Sequence, residues 1–521
     1  MEFPRAGKIL LASAVLAYAL FIGWYQSPYA SGSDASGYLN SARLLLAGKF
    51  STPLRVPAQL PPGTLSDQNY MPLGFRVVGP DNDRRLVPTY PVGLPLLYAA
   101  ASFIVGLDHA ATLVALLAAL AFPGLIYLVA RELGVRPWWG AGVAVVGALS
   151  PLTLFVALQP MSDLIAATLG VAVVLLGLRS SRHAGWAVLA GATIALAVLV
   201  RPTCVLLFLP AAVALPFRWR AWIGFVLGGL PGAVFLAAYN ATLYGSPAAS
   251  GYGSVAYLFA ARHALPTWGH YALWVPVVAT PLVAAALALP WLKISVRRKV
   301  LLVAWAAPLF LFYSFYQITR ETWWYLRFVL PALPPLGIAA ALAWQELRSA
   351  QWLVSIRRQP DEGTAGAGRP EHTLRLAFQP ALFLLAAVVW QIAWSRHFSV
   401  SQLELTNRPY PLIARWVARE LPDNAVVAAM EVSGSLLYYT DRPFVRPDFF
   451  TPERYAKFNA SLARTHTQVF ATLFPYEQAD TLERQMPGKW EPFARIRYAT
   501  VWRRVAPPPE PVPVVPAATA R

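Results

Sequence analysis

Four charged side chains stand at or near the ends of apolar runs: Asp34 in SGSDASGYLNSARLLLAGKF, Asp163 in LQPMSDLIAATLG, Arg201 in ALAVLVRPTCVLLFLP and Arg327 in YQITRETWWYLRFVLPALPP. A positioned carboxylate can take a proton from a hydroxyl. A guanidinium presents a planar fork of donors that suits a phosphate. Each residue also has a plainer reading. Asp34 and Asp163 are favoured helix N-caps, Arg201 can snorkel to lipid headgroups, and Arg327 can pair with nearby Glu321 as a surface ion pair. For Asp34 the two roles are compatible. Tyr38, Tyr90, Tyr252 and Glu321, on segments flanking these charges, are further candidates for donor or substrate contact.

Other signals carry less. Asp81-Asn82-Asp83 has the D-x-D form of metal-dependent nucleotide-sugar enzymes, but no strand pattern surrounds it, so it reads as a turn. Gly251-Tyr252-Gly253 is too short for a phosphate-binding glycine loop. The seven histidines show no metal-ligand spacing. The lone cysteine, Cys204, allows no disulfide and no cysteine-based metal site.

The elements that must position these residues are membrane helices. Of 521 residues 57% are hydrophobic and only 13% charged, far from the roughly 25% charge of soluble domains. Uncharged runs near 9–25, 109–130, 137–157, 162–178, 184–200, 220–241, 271–291, 299–317, 325–345 and 377–395, with a shorter one at 203–216, have the length of about 20 residues that crosses about 30 Å of hydrocarbon. The first run reads as an anchor, since no small-residue cleavage site follows it. The net charge of +18 does not point to nucleic acid. It gathers in small clusters in alternate connections: Arg5/Lys8, Arg131/Arg136, Arg179/Arg182, Arg218/Arg220, Lys293/Arg297/Arg298/Lys299 and Arg348/Arg357/Arg358. That is the positive-inside pattern. It predicts eleven crossings, a cytoplasmic amino terminus and an outer carboxyl terminus. A twelfth apolar stretch, 91–106, would invert every later loop, so it reads as a helix lying on the outer surface.

The expected fold class is therefore mainly α: a polytopic helical bundle over 1–396 with outer loops at 26–108 and 242–270, then a small soluble α/β domain over 397–505. ARWVAREL (414–421) reads as an amphipathic helix, AVVAAM (425–430) as a strand and SGSLLYYT (433–440) as a short helix. QVFATLF (468–474) reads as a strand, and RIRYATVWRRV (495–505) supplies one or two more. DEGTAGAGRPE within the cytoplasmic loop 346–376 reads as a flexible linker, and the Pro-rich tail 506–521 as disordered.

In order, these segments resemble the GT-C membrane glycosyltransferases, in particular the branch with protein O-mannosyltransferases and lipid A aminoarabinose transferases. The matching pieces over about 1–345 are Asp34 with Tyr38, Ala42 and Gly48; the YPxGxPLL segment of Tyr90, Pro91, Gly93, Pro95, Leu96 and Leu97; LVARELGVRP; SPLTLFVALQPMSD; ALAVLVRPT; YNATLYGSPAASGYG; and WWYLRFVLPALP. The resemblance implies a sugar carried on a polyprenyl monophosphate, with Asp34 as catalytic base, Asp163 as the second acidic residue and Arg201 facing the donor phosphate. Many members carry paired acids in the first loop. Here Asp34 stands alone between Ser33 and Ala35, which leaves dependence on a divalent metal open.

The expected reaction moves the sugar to an acceptor hydroxyl at the outer face of the cell (inner) membrane, with inversion, among membrane lipids. The acceptor is a glycan, a lipid or a protein. A flippase or transporter of lipid-linked sugars is the alternative class. It would show charges deep in several spans and paired broken helices, and no internal repeat is evident. A silent assembly protein is a third. For the topology, a cysteine placed at Thr364 is expected to label only from the cytoplasmic side. Labelling from outside would overturn the orientation.

Overall fold

The computed structural model describes residues 5–80, 83–357, 370–465 and 467–505. The linker at the centre of 346–376, the Pro-rich tail, and Asp81 and Asn82 lie outside them. The chain divides into two compact units. One, a membrane unit, comprises Met1–Tyr29, Ser41–Phe50 and Thr89–Asn407. The other, an α/β unit, comprises Ala30–Asn40, Ser51–Pro88 and Arg408–Arg521.

The helices in chain order are α1 Arg5–Tyr25, α2 Gly32–Leu46, α3 Gly93–Val105, α4 Leu107–Glu132, α5 Pro137–Leu149, α6 Pro151–Ala157, α7 Asp163–Arg179, α8 Gly185–Val200, α9 Phe208–Ala214, α10 Trp219–Tyr244, α11 Ala264–Ala279, α12 Val296–Ser314, α13 Leu333–Arg357, α14 Pro370–His397 and α15 Leu403–Asn407. Short 3-10 segments fill Pro202–Leu207, Pro281–Trp291 and Trp323–Ala332. Among the described residues three continuous stretches are long and apolar enough to cross a membrane: Leu107–Glu132, Trp219–Tyr244 and Trp323–Arg348. The count reaches six if each bent pair is one span, against eleven apolar runs in the sequence. Part of the remainder is length, since Ile9–Tyr25, Gly185–Val200 and Pro202–Ala214 are apolar but shorter, and the breaks inside the bent pairs have a local cause. Proline removes an N–H and pushes the residue before it out of the helical region. The chain bends by 52° between α5 and α6, where Pro151 follows Ser150, and by 110° at Pro281.

Helix α3 has 13 residues and spans about 20 Å at 1.5 Å per residue. That is too short to cross the hydrocarbon. Phe103 and Ile104 at its end are exposed while Leu94 and Tyr98 are buried.

Helices α8 and α10 pack through small residues. Gly224, Gly228 and Gly232 fall four apart on one face of α10. A Cβ at Gly228 would strike the Val188 carbonyl, and one at Gly191 of α8 would strike the Phe225 carbonyl. Only glycine lets the two backbones come this close, and such contacts hold helices together where no hydrophobic force exists between them.

Trp323 is buried and lies flat on Phe398, with ring centroids 3.9 Å apart, and edge-on to Phe155 at 5.4 Å.

In the α/β unit the helices are α16 Pro409–Glu420, α17 Ser433–Tyr439, α18 Pro452–Thr465 and α19 Pro475–Ala479. Strands β1 Thr52–Pro53, β2 Phe75–Val78 and β3 Arg85–Pro88 form an antiparallel sheet in the order β1-β3-β2. The sequence reading missed these strands. Val78 pairs with Arg85, so β2 and β3 form a hairpin, while Asp81 and Asn82 of the D-x-D segment lie outside the described residues. Strands β4 Val426–Ala428, β5 Val469–Leu473, β6 Trp490–Ile496 and β7 Ala499–Arg504 form a second sheet in the order β4-β5-β7-β6, parallel at β4–β5 and antiparallel elsewhere.

Side chains alternate across this second sheet. Val427 and Phe470 join Ile413 and Val417 of α16 in one core, while Val426 and Ala471 join Phe458 and Leu462 of α18 in another.

Below α16, Glu477 is 4% exposed. Its Oε2 accepts from the Phe474 N–H at 2.8 Å and its Oε1 from the Glu431 N–H at 3.1 Å. Burial pushes its carboxyl up to about 7, although both backbone donors oppose the shift. Between the usual 4.5 and about 7 the folded state therefore holds the extra proton, so this group's contribution to stability falls as pH rises through that window. Thermal melts of the full chain should show a midpoint that declines from about pH 5 to about pH 7.5, and Glu477→Gln should flatten that slope. Equal slopes for the two proteins would exclude this assignment.

Candidate functional site

Helices α7 and α8 are consecutive and antiparallel, so the start of one meets the end of the other. Asp163 is the first residue of α7, where the helix dipole favours a negative charge. Arg201 directly follows α8. Its backbone is extended (φ −152°, ψ 112°), as expected of a residue before Pro202, and its N–H still donates to the Ala197 carbonyl at 2.8 Å. The break turns the side chain out of the helix line, and its Nη1 pairs with Asp163 Oδ1.

Arg327 reaches the same carboxylate from the 3-10 segment Trp323–Ala332. Its Nη1 is 4.0 Å from Asp163 Oδ2 and 3.0 Å from Met161 Sδ. The Asp163 side chain is 3% exposed, and those of Arg201 and Arg327 are 14% and 12% exposed.

Aromatic side chains frame the cluster. Both guanidiniums sit over the Phe328 ring, at 5.1 Å for Arg201 and 5.4 Å for Arg327, and Arg327 also lies 5.5 Å from the Tyr325 ring. These are cation–π distances. Phe328 stacks on Tyr313 at 5.3 Å, and the Tyr313 hydroxyl shares a hydrogen bond of 2.8 Å with Thr203 Oγ1. The Tyr313 and Tyr252 phenols both lie in electrostatic reach of Arg201. Tyr252 meets Tyr90 edge-on at 6.0 Å. Three residues beyond Tyr90, Gly93 lies so close to the Leu199–Val200 backbone that a Cβ there would collide with it. The YPxG segment is thereby held against the end of α8 that carries Arg201.

Of the candidates named from sequence, the membrane unit brings together Asp163, Arg201, Arg327, Tyr252 and Tyr90. Glu321 is exposed after the turn Gln317–Arg320, whereas Arg327 turns toward Asp163. Asp34 and Tyr38 belong to the α/β unit. Asp34 stands half-buried in the first turn of α2, and Tyr38, one turn on, is buried. Sequence reasoning missed Phe328, Tyr313, Met161 and Thr203. The only signal for them was position: Thr203 and Phe328 lie within two residues of an arginine already singled out. Among the described residues no group of three or more His, Cys, Asp or Glu side chains could hold a metal ion.

An apolar cavity lies in the same unit. Phe122, Val143, Thr153, Leu330, Pro334 and Phe383 are among the residues that line it. Leu330 is three residues from Arg327 on the same 3-10 segment.

No protein-family profile matches the chain, and no curated sequence does. Solved structures do match in fold. ArnT from Cupriavidus metallidurans bound to undecaprenyl phosphate superposes with a TM-score of 0.56 at 16% identity, covering 96% of this chain and 99% of that one. The oligosaccharyltransferase AglB from Archaeoglobus fulgidus, in complex with an inhibitory peptide and a dolichol-phosphate, gives 0.54 at 12% identity over 91% of this chain and 70% of that one. The mycobacterial arabinofuranosyltransferase AftD gives 0.51 at 14%, over 96% of this chain and 42% of that one. The protein therefore has the fold of the GT-C membrane glycosyltransferases, and it is a membrane protein.

Asp163 is the residue whose loss the membrane unit should feel most. Asp163→Asn leaves two guanidiniums facing each other over one aromatic ring, and breaking a buried pair in this way costs on the order of 3 kcal/mol. The thermal midpoint should drop, and adding Arg201→Met should restore most of it. An Asp163→Asn protein as stable as wild type would show that the pair has no structural weight.

Proposed function

We propose that the protein is a glycosyltransferase that moves a sugar from a polyprenyl-phosphate donor to an acceptor hydroxyl at the outer face of the cytoplasmic membrane. The observation that carries this reading is the cluster of Arg201 and Arg327 on Asp163, in a unit that also holds an apolar cavity. A guanidinium has five N–H donors, so sharing one carboxylate leaves it able to grip a phosphate as well. The cavity suits the hydrocarbon tail of a lipid phosphate. The fold agrees, since solved proteins that share it hold undecaprenyl phosphate and dolichol phosphate.

The chemistry follows from charge. The acceptor oxygen attacks the anomeric carbon as the sugar–phosphate bond breaks, and Asp34 takes the acceptor's proton. The departing lipid phosphate changes from a diester to a monoester and gains one negative charge. Fixed guanidiniums stabilise that charge in the transition state more than in the ground state, which is what accelerates the step. One direct displacement inverts the anomeric configuration. The positive-inside pattern puts the amino terminus in the cytoplasm and the chemistry outside.

Purified protein in nanodiscs, supplied with undecaprenyl-phosphate arabinose, mannose or glucose, tests the reading. Arg201→Ala should weaken binding of undecaprenyl phosphate by about 10- to 150-fold, the worth of a hydrogen bond to a charged group. Asp34→Asn keeps an N-cap of similar quality, so stability should hold while turnover falls about 10²–10⁴-fold. Full turnover by Asp34→Asn would leave Asp34 as a cap alone. Unchanged lipid binding by Arg201→Ala would remove the phosphate site.

A further inference from the structure

The first half of helix α2, which carries Asp34, packs within the α/β unit, and the contacts there are unusually close. Three stretches of chain meet at consecutive positions along it. The first is the turn at the start of α17. A Cβ on Gly434 would run into the Ser36 side chain and come within 3.1 Å of the Leu73 carbonyl. The Gly434 carbonyl accepts from Asn40 Nδ2 at 2.9 Å, and the same amide donates to the Ser36 carbonyl at 2.9 Å. The second is the segment Leu73–Gly74. Its Leu73 N–H donates to Ser433 Oγ at 3.0 Å, and Gly74, at φ +84°, crosses so near the Gly37 backbone that a Cβ on Gly74 would collide with it. The third is the residue that leads into α2. Ala30 receives a hydrogen bond on its carbonyl from Ser435 Oγ at 2.5 Å and gives one from its N–H to the Tyr439 hydroxyl at 3.0 Å.

These contacts fix both the rotation and the height of α2. Hydrogen bonds at Ala30 and Asn40 hold the helix on either side of Asp34. The glycine contacts at Ser36 and Gly37 set how deeply it seats. Packed interiors of this density do not yield smoothly to added atoms, so the seat has one preferred position. Bringing two backbones together through glycine also costs conformational entropy, which a mere domain tether would not require.

From this we infer that the turn Ser433-Gly434-Ser435 is a positioning element for the transfer reaction: it seats the helix that carries Asp34, and the α/β unit thereby sets the place of the base. The inference rests on the reading of Asp34 as that base. None of the three residues touches the reacting atoms. They act through Ser36, Asn40 and Ala30.

The test uses the full chain in nanodiscs with the undecaprenyl-phosphate sugar that the wild type turns over. Gly434→Ala should lower kcat on the order of 10²-fold, the cost of about 1 Å of misplacement in a reacting group. The donor KM and the Kd for undecaprenyl phosphate should stay within twofold. Adding Ser36→Gly removes the side chain that the new methyl strikes, and should restore most of kcat. A role in folding alone predicts a different outcome, with less folded protein and an unchanged kcat per folded molecule. If Gly434→Ala does not fold, Ser435→Ala removes only the hydroxyl bond to Ala30 and should still lower kcat with KM unchanged. Wild-type kcat in the variant that folds, or a loss that Ser36→Gly does not relieve, overturns the inference. These results are distinct from failure of the base assignment, which shows as full activity in Asp34→Asn whatever Gly434→Ala does.

Discussion

A carboxylate shut away in an apolar unit is tolerable only if something nearby carries the opposite charge, and the membrane unit is arranged around that requirement at Asp163. The side chain is 3% exposed. Its compensation comes from two arginines that are more than 100 residues apart in the chain. Each needs a break in regular helix to reach it: Pro202 forces Arg201 into extended backbone, and Arg327 sits in a 3-10 segment. The start of α7, the end of α8 and the segment 323–332 are thus tied at one point. Phe328 lies under both guanidiniums and holds them near each other despite their like charge.

Close packing does the rest of the positioning, and glycine makes it possible. In the membrane unit Gly191 and Gly228 let α8 and α10 touch backbone to backbone, and Gly93 presses the YPxG segment against the end of α8. In the α/β unit Gly74 and Gly434 play the same part around α2. In each case the missing Cβ fixes a distance that a larger side chain would have spread.

The fold persists across proteins that share only 12–16% of their residues with this one. That is physically reasonable for helices packed in an apolar medium. Apolar side chains exchange freely if volume and pattern are kept, while the spacing of breaks and small residues carries the architecture. It also explains why a fold of this kind says little by itself about the chemistry it hosts.

The sequence alone determined the membrane character, because a low charge content and repeated apolar runs allow no other solvent. It also singled out Asp163, Arg201 and Arg327, which the membrane unit brings together, since an ion in such a run is costly enough to need a reason. Most elements of the α/β unit were legible too: the helix at 414–421, the strands at 425–430 and 468–474 and the short helix at 433–440 all have counterparts in the structure. Local pattern was enough there because the alternation and helical spacing are short-range. What the sequence did not contain was pairing. Glu321 is the nearest acidic residue to Arg327 in the chain, yet Arg327 turns to Asp163. The strands at 52–53, 75–78 and 85–88 had no pattern of their own, being short and paired only with one another. That residues 51–88 and the first half of α2 join the carboxyl-terminal region in one unit was equally hidden. Such choices depend on contacts between segments hundreds of residues apart, and only the folded chain, with its glycine crossings and buried charges, decides them.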